Sequence, residues 1–157
     1  CRNILFLGGP KGVYTTGERL KGYRQALREA EIPFQKEYIT YGAYSTASGY
    51  ERVRHIIEAY PETDAIFAGA DTIAIGVLRA LRELNIPVPG QVSVLGFDNI
   101  MLSADLTPTL TTVAQPIYEM GYRAARKLLA LIGGDPEGAK SECMSTTLVQ
   151  RESTRSR

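Results

Sequence analysis

The sequence predicts an α/β fold organised on a doubly wound, mostly parallel sheet. Three observations carry this. Residues 4–7, 65–69 and 92–96 are short apolar runs bounded by turn residues, the pattern of strands buried on both faces. Amphipathic stretches of helical length separate them, so strand and helix alternate along the chain. The run Val92-Ser93-Val94-Leu95-Gly96 passes directly into Phe97-Asp98-Asn99, setting a carboxylate just past the carboxyl end of a strand. That edge is where open α/β sheets bind ligands. With right-handed crossovers, the order β-α-β-α-β-α-β builds a sheet covered on both faces.

Each element has its own signal. Ile4-Leu5-Phe6-Leu7 ends at Gly8-Gly9-Pro10, a strand followed by a turn. A helix over 16–30 repeats Leu20, Tyr23, Leu27 and Ala30 on one face, with Thr15 or Thr16 as its cap. Ile32-Pro33 stops it, because proline disfavours helical geometry in the preceding residue. Residues 34–41 alternate weakly and read as the second strand. Ser48-x-x-Glu51 has capping-box spacing and opens a helix to about residue 60, with Val53, Ile56, Ile57 and Tyr60 as its stripe. The third strand leads into a helix capped by Asp71 or Thr72 and carrying Ile75, Leu78, Leu81 and Leu84. A proline-rich turn enters the strand 92–96, where Gly96 lets the backbone bend as it leaves the sheet. The alternation then breaks. Residues 101–107 are irregular and 110–113 are β-rich. Pro116 suits the first turn of a helix carrying Met120, Ala124, Leu128, Leu131 and Ile132, and residues 143–150 form a last strand.

Composition narrows the class. A chain of 157 residues with 44% hydrophobic content is about one core-forming domain in size. Eighteen Lys and Arg against seventeen Asp and Glu, mixed along the chain, leave a net charge of +1, without the basic stripe of a nucleic-acid surface. Arg151, Arg155 and Arg157 read as a solvated tail. Cys1 and Cys143 fit no metal-ligand spacing and read as free thiols in a reducing, cytoplasmic setting. No apolar stretch approaches the roughly 20 residues that span a bilayer, so no membrane partner is expected. The start, Cys-Arg-Asn running straight into a strand, reads as a cut within a longer polypeptide.

Catalytic signatures do not appear. Gly8-Gly9-Pro10-Lys11-Gly12 matches neither the dinucleotide fingerprint nor the P-loop, and there is no nucleophile elbow or zinc-binding His-Glu-x-x-His. His55, the one histidine, sits mid-helix without partners for a catalytic constellation. The chain is expected to be no enzyme and to carry no metal or cofactor. What converges at the carboxyl edge is a set of polar and aromatic residues: Arg19 after the first strand, Tyr44 after the second, Asp71 after the third and Asp98 after the fourth. A forked donor, acceptor carboxylates and an aromatic face suit a polyhydroxylated ligand. The plainer readings stand beside it: Asp-Asn is ordinary turn chemistry, Arg19 covers its helix, Tyr44 lines a turn and Asp71 caps a helix.

Five stretches resemble the lac-repressor/galactose-repressor family of transcription regulators: residues 18–23 (Glu-Arg-Leu-Lys-Gly-Tyr), 70–76 (Ala-Asp-Thr-Ile-Ala-Ile-Gly), 92–99, 106–116 and 148–154. They occur in family order over essentially the whole chain. The resemblance implies a periplasmic-binding-protein-like doubly wound parallel sheet, here mainly the C-terminal subdomain of an effector-binding unit. Residues 1–113 match that subdomain, lacking its first elements. Residues 114–143 match a crossover helix and strand belonging to the N-terminal subdomain, and residues 144–157 match a return strand and tail. It also implies an effector site at Arg19, Asp98, Tyr44 and Gln115, to which Asp71 and Tyr14 at the same edge are added as candidates. Ala70 stands where some members carry a polar ligand contact. The loop 10–16 lacks the extra arginine of purine-binding relatives, which favours a sugar-like effector. A homodimer is implied through the helix 72–84 and residues 102–106. DNA would be reached only through a helix-turn-helix domain outside these residues. With one cleft wall largely missing, exposed apolar surface is expected. A sugar-binding protein of a transport system shares the implied fold and is the second reading; an enzyme on a doubly wound sheet is the third.

Overall fold

A computed structural model describes residues 1–155. The elements are β1 (Ile4–Gly8), α1 (Tyr14–Glu29), β2 (Ile39–Tyr41), α2 (Thr46–Ala59), β3 (Ala65–Ala68), α3 (Asp71–Glu83), β4 (Ser93–Asp98), β5 (Thr111–Ala114), α4 (Ile117–Ile132) and β6 (Thr147–Val149). The strands form one sheet in the order β2-β1-β3-β4-β5-β6; β1 to β5 are parallel and β6 runs antiparallel beside β5.

Side-chain alternation along the strands builds two cores. Leu5 and Leu7 of β1, Ile66 and Ala68 of β3 and Val94 of β4 point to the face covered by α2 and α3. Phe6 points to the other face, where Leu20, Tyr23 and Leu27 of α1 meet it, with Phe67 beside them. Helices therefore cover both faces, as the alternating pattern requires. The pair α2–α3 is closely packed. A Cβ on Gly76 would lie 2.0 Å from the Thr46 carbonyl oxygen, and one on Gly49 would lie 2.2 Å from that of Ile73.

Several local expectations are corrected. Helix α1 starts at Tyr14, so Thr15 and Thr16 lie within its first turn and neither caps it. The cap of α2 is Ser45, which accepts a hydrogen bond from the Ser48 amide at 3.2 Å; the pattern Ser48-x-x-Glu51 lies inside the helix. The second strand is only Ile39–Tyr41, because residues 36–38 turn in a 3-10 helix that buries Tyr38. Neither Asp71 nor Thr72 caps α3; Ala70 holds the cap position without a side-chain bond, and the buried stripe runs through Ile73, Val77 and Leu81 rather than Ile75. Gly96 lies within β4 rather than at its end. It is small because a Cβ there would sit 2.2 Å from the Asp71 carboxylate.

The tail expectation also changes. Arg151 donates to the Leu110 carbonyl at 2.7 Å and to the Asn99 side chain at 2.9 Å, and Ser153 is fully buried between Thr111 and Val94. Arg155 donates to the carbonyls of Pro89 and Gln91. Residues 151–155 thus lace the β4–β5 end of the sheet; Arg157, predicted with them, lies outside the described residues. Helix α4 has an apolar stripe, yet none of its residues is buried. Ile117, Leu128, Leu129 and Ile132 are all more than half exposed.

Candidate functional site

Strand order sets the location. From β1 the chain moves outward to β2 and then returns across β1 to β3, so the sheet reverses direction between β1 and β3. Connections above such a switch point diverge and leave a crevice at the carboxyl ends. One side chain spans it here. Arg19, from the second turn of α1, donates through Nη1 to the Gly69 carbonyl at the end of β3, and through Nη2 to Asp98 Oδ1 at 3.1 Å. Its guanidinium lies over the Phe97 ring, 3.9 Å from the centroid. A planar, always-charged fork suits this triple role.

Asp98 is the last residue of β4 rather than lying just past a strand that ends at Gly96. Its Oδ1 accepts from Arg19 and also from Gln115 Nε2 at 2.7 Å. No hydrogen bond reaches Oδ2 from the described residues. Burial pushes the Asp98 carboxyl above its ordinary range; the Arg19 charge opposes this and the nearby Asp71 reinforces it. Half-buried and with one oxygen open, Asp98 suits a ligand that brings its own hydrogen-bond donors.

The remaining predicted residues divide. Gln115, just after β5, reaches the same carboxylate as Arg19. Tyr44 stands at the neighbouring edge. Its hydroxyl bonds Thr16 at 2.7 Å and Thr15 at 3.2 Å, and its ring lies so close over Gly9 that a Cβ there would come within 2.0 Å. Tyr14 opens α1, is 78% exposed, and borders a groove with Gln115 and Pro116. Asp71 lies beneath the edge with no solvent access. It accepts from Ser103 Oγ and Thr112 Oγ1, both at 2.6 Å, and from the Ile100 amide at 3.0 Å. Its oxygens are occupied within the fold.

Two contributors escaped the sequence reading. Phe97 forms the platform under Arg19; the signal was present, since period-two alternation in β4 sets it on the face opposite Val94. Arg52, from α2, donates to the carbonyls of Ser48, Gly8 and Thr40 and so ties β1 to β2 below the Gly8–Gly9 turn; burial lowers its pKa. Its partners are backbone carbonyls, which no residue pattern announces. His55 is exposed on α2. Among the described residues no group of acidic, His or Cys side chains is placed to hold a metal, and no helix is long and apolar enough to cross a membrane.

A doubly wound sheet with an arginine bridging its switch point and a carboxylate facing it defines an α/β domain with a polar crevice at its carboxyl edge. This chain belongs to the periplasmic binding protein-like domain family, whose model matches residues 1–154. Its relatives are regulators of the lac-repressor type, matched in their C-terminal, effector-binding region. It is 36% identical to the transcriptional repressor PurR of Photorhabdus laumondii over 97% of this chain and 45% of that protein. Among solved structures it resembles a complex of the transcriptional regulator CelR with cellobiose, with a TM-score of 0.88 and 33% identity over 97% of this chain and 46% of that one. A regulatory protein of LacI family from Chloroflexus aggregans gives a TM-score of 0.90 at 30% identity, over 98% and 56% of the two chains. The chain thus spans about half the length of the curated relatives it matches. The relatives are named as regulators of transcription, in agreement with the non-enzymatic reading.

Proposed function

We infer that this chain is the effector-binding portion of a bacterial transcriptional repressor, and that its ligand is a small sugar-like molecule. One observation carries the reading: at the switch point Asp98 is held through Oδ1 by Arg19 and Gln115 and keeps Oδ2 for a ligand hydroxyl. The naming of a cellobiose complex among the structural neighbours supports the ligand class. In this reading Arg19, Asp98 and Gln115 contact the effector, Tyr14 and Tyr44 line the flanks, and Asp71 acts from below by shaping the turn after β4. Residues 114–143 serve as the crossover to a second subdomain that forms the opposite wall. The apolar face of α4 packs there.

Effector binding favours one relative orientation of the two subdomains, and that shift changes operator affinity in a helix-turn-helix domain elsewhere in the polypeptide. The protein acts in the cytoplasm as a homodimer formed through α3 and residues 102–106. Exposed Met101 and Leu102 beside α3 support that face.

The test is a thermal-shift and calorimetric screen of the full-length protein against cellobiose, glucose, galactose and ribose. A ligand at a hundred times its Kd raises stability by about 2.7 kcal/mol. Binding of a sugar that weakens at least tenfold in Asp98→Asn is the expected result. An unchanged affinity in that variant removes Asp98 from the site, and no binding to any sugar rejects the ligand class. Sugar binding without any effect on operator affinity would favour a transport protein instead.

A further inference from the structure

We propose that Arg151 is a positioning residue for the Asp98 carboxylate: it pins the Asn99 side chain and thereby holds the corner that aims Asp98 at the crevice. The corner is unusual. Asp98 has φ +112° and Asn99 has φ +53°, two consecutive non-glycine residues on the left-handed side. Asparagine tolerates this region, but aspartate at +112° lies in a sparsely populated one. Such a conformation persists only where the surroundings over-determine it.

Two sets of contacts do so. From below, the Asn99 amide donates to Thr112 Oγ1 at 3.3 Å, the Ile100 amide donates to Asp71, and Thr112 is itself tied to Asp71. From the side, Arg151 ties the turn to the entry of β5 through the two arms of its fork. Nη2 donates to Asn99 Oδ1 at 2.9 Å, while Nη1 donates to the Leu110 carbonyl at 2.7 Å. Arg151 is anchored in turn. Its amide donates to Thr111 Oγ1 at 2.9 Å, and its carbonyl lies 3.1 Å from the same hydroxyl as an acceptor. Leu110 is fully buried and Thr111 pairs with Leu95 of β4, so the fork is referenced to the sheet that carries Asp98. A guanidinium has the geometry to bridge two acceptors at once; a lysine ammonium lacks it. The segment after β6, distant in sequence from every proposed effector contact, thereby sets where the carboxylate points.

The test has two arms in the full-length protein, and only the second rests on the effector reading above. In the first, hydrogen exchange is followed by mass spectrometry in wild type, Arg151→Met, Asn99→Ala and the double variant. Exchange across residues 98–101 is expected to quicken at least tenfold in each single variant. Residues 5–8 and 73–78 are expected to stay within threefold of wild type, and the double variant to exchange no faster than the faster single. Asn99→Ala keeps the Arg151 bond to Leu110, so it decides the matter if Arg151→Met loosens the whole fold. Unchanged exchange at 98–101 in Asn99→Ala, or quickening spread evenly over the sheet, overturns the proposal. In the second arm, affinity for whichever of cellobiose, glucose, galactose or ribose the wild type binds is expected to fall at least tenfold in both single variants and no further in the double. A corner that opens while that affinity is kept also overturns it. Wild type that binds none of these sugars rejects the sugar reading, and the exchange arm still decides whether Arg151 holds Asp98.

Discussion

Helices α3 and α4 both carry apolar stripes of similar length, and the chain treats them in opposite ways. In α3, Ile73, Ala74, Val77 and Leu81 are fully buried against the sheet and α2. In α4, no residue is buried, and the helix packs chiefly on the 3-10 turn Pro136–Ala139. Amphipathicity makes a helix fit to be covered, but it does not say by what. In α3 the cover is the adjoining sheet; in α4 the face is left open by the described residues and is assigned above to a second subdomain.

Five substitutions separate the two regions, starting with the largest effect. Ile73→Ala removes a fully buried side chain from the α2–α3 core and is expected to cost about 2–5 kcal/mol in urea denaturation. The same truncation in α4, Leu129→Ala, would refute the contrast if it cost as much in this chain alone. Asp71→Ala strips three donors of their acceptor, two of them on fully buried side chains, and is expected to cost about 3 kcal/mol by the same measurement. A loss below about 1 kcal/mol would show that water replaces the carboxylate and that the β4 corner is looser than its contacts suggest. Gly121→Ala, in the open interior of α4 where nothing lies within 4 Å, is expected to stabilise by about 0.5–1 kcal/mol. Gly76→Ala in α3 is expected to destabilise instead, because its Cβ would collide with the α2 backbone.

The smallest effect concerns charge at the sheet edge. Burial makes the Asp98 carboxyl harder to ionise in the folded state than in the unfolded chain, the Arg19 charge only partly offsetting this. The folded state then binds the extra proton, so stability falls as pH rises from the unfolded-state range through the raised folded one, and the cost persists above. Asp98→Asn is therefore expected to raise the urea midpoint slightly at pH 7 in the absence of ligand, with a gain that fades as the pH is lowered through the carboxylate range. A gain that grows on acidification would reverse the sign. The expected outcome places a small stability cost at the residue proposed to contact the effector, a pattern common at binding sites.

Sequence alone determined the architecture. Apolar runs of strand length alternating with helical stripes leave a parallel sheet covered on both faces as the arrangement that buries both, and residues 92–99 placed a carboxylate at the carboxyl edge of the sheet because period and turn chemistry are local. The same locality explains why Arg19 and Asp98 were legible as candidates, and why Gln115 was found only through family resemblance. Their convergence depends on strand order. Sequence reading failed where a residue's role is set by partners far along the chain. Asp71 looked like a cap and became the buried acceptor for Ser103, Thr112 and Ile100. Arg151 looked like a solvated tail and became a brace on Asn99, 52 positions away. In each case the residue type stated which bonds it could make, and only the tertiary structure decided which partner was within three ångströms, because hydrogen-bond reach is short and the chain is free to bring any acceptor to it.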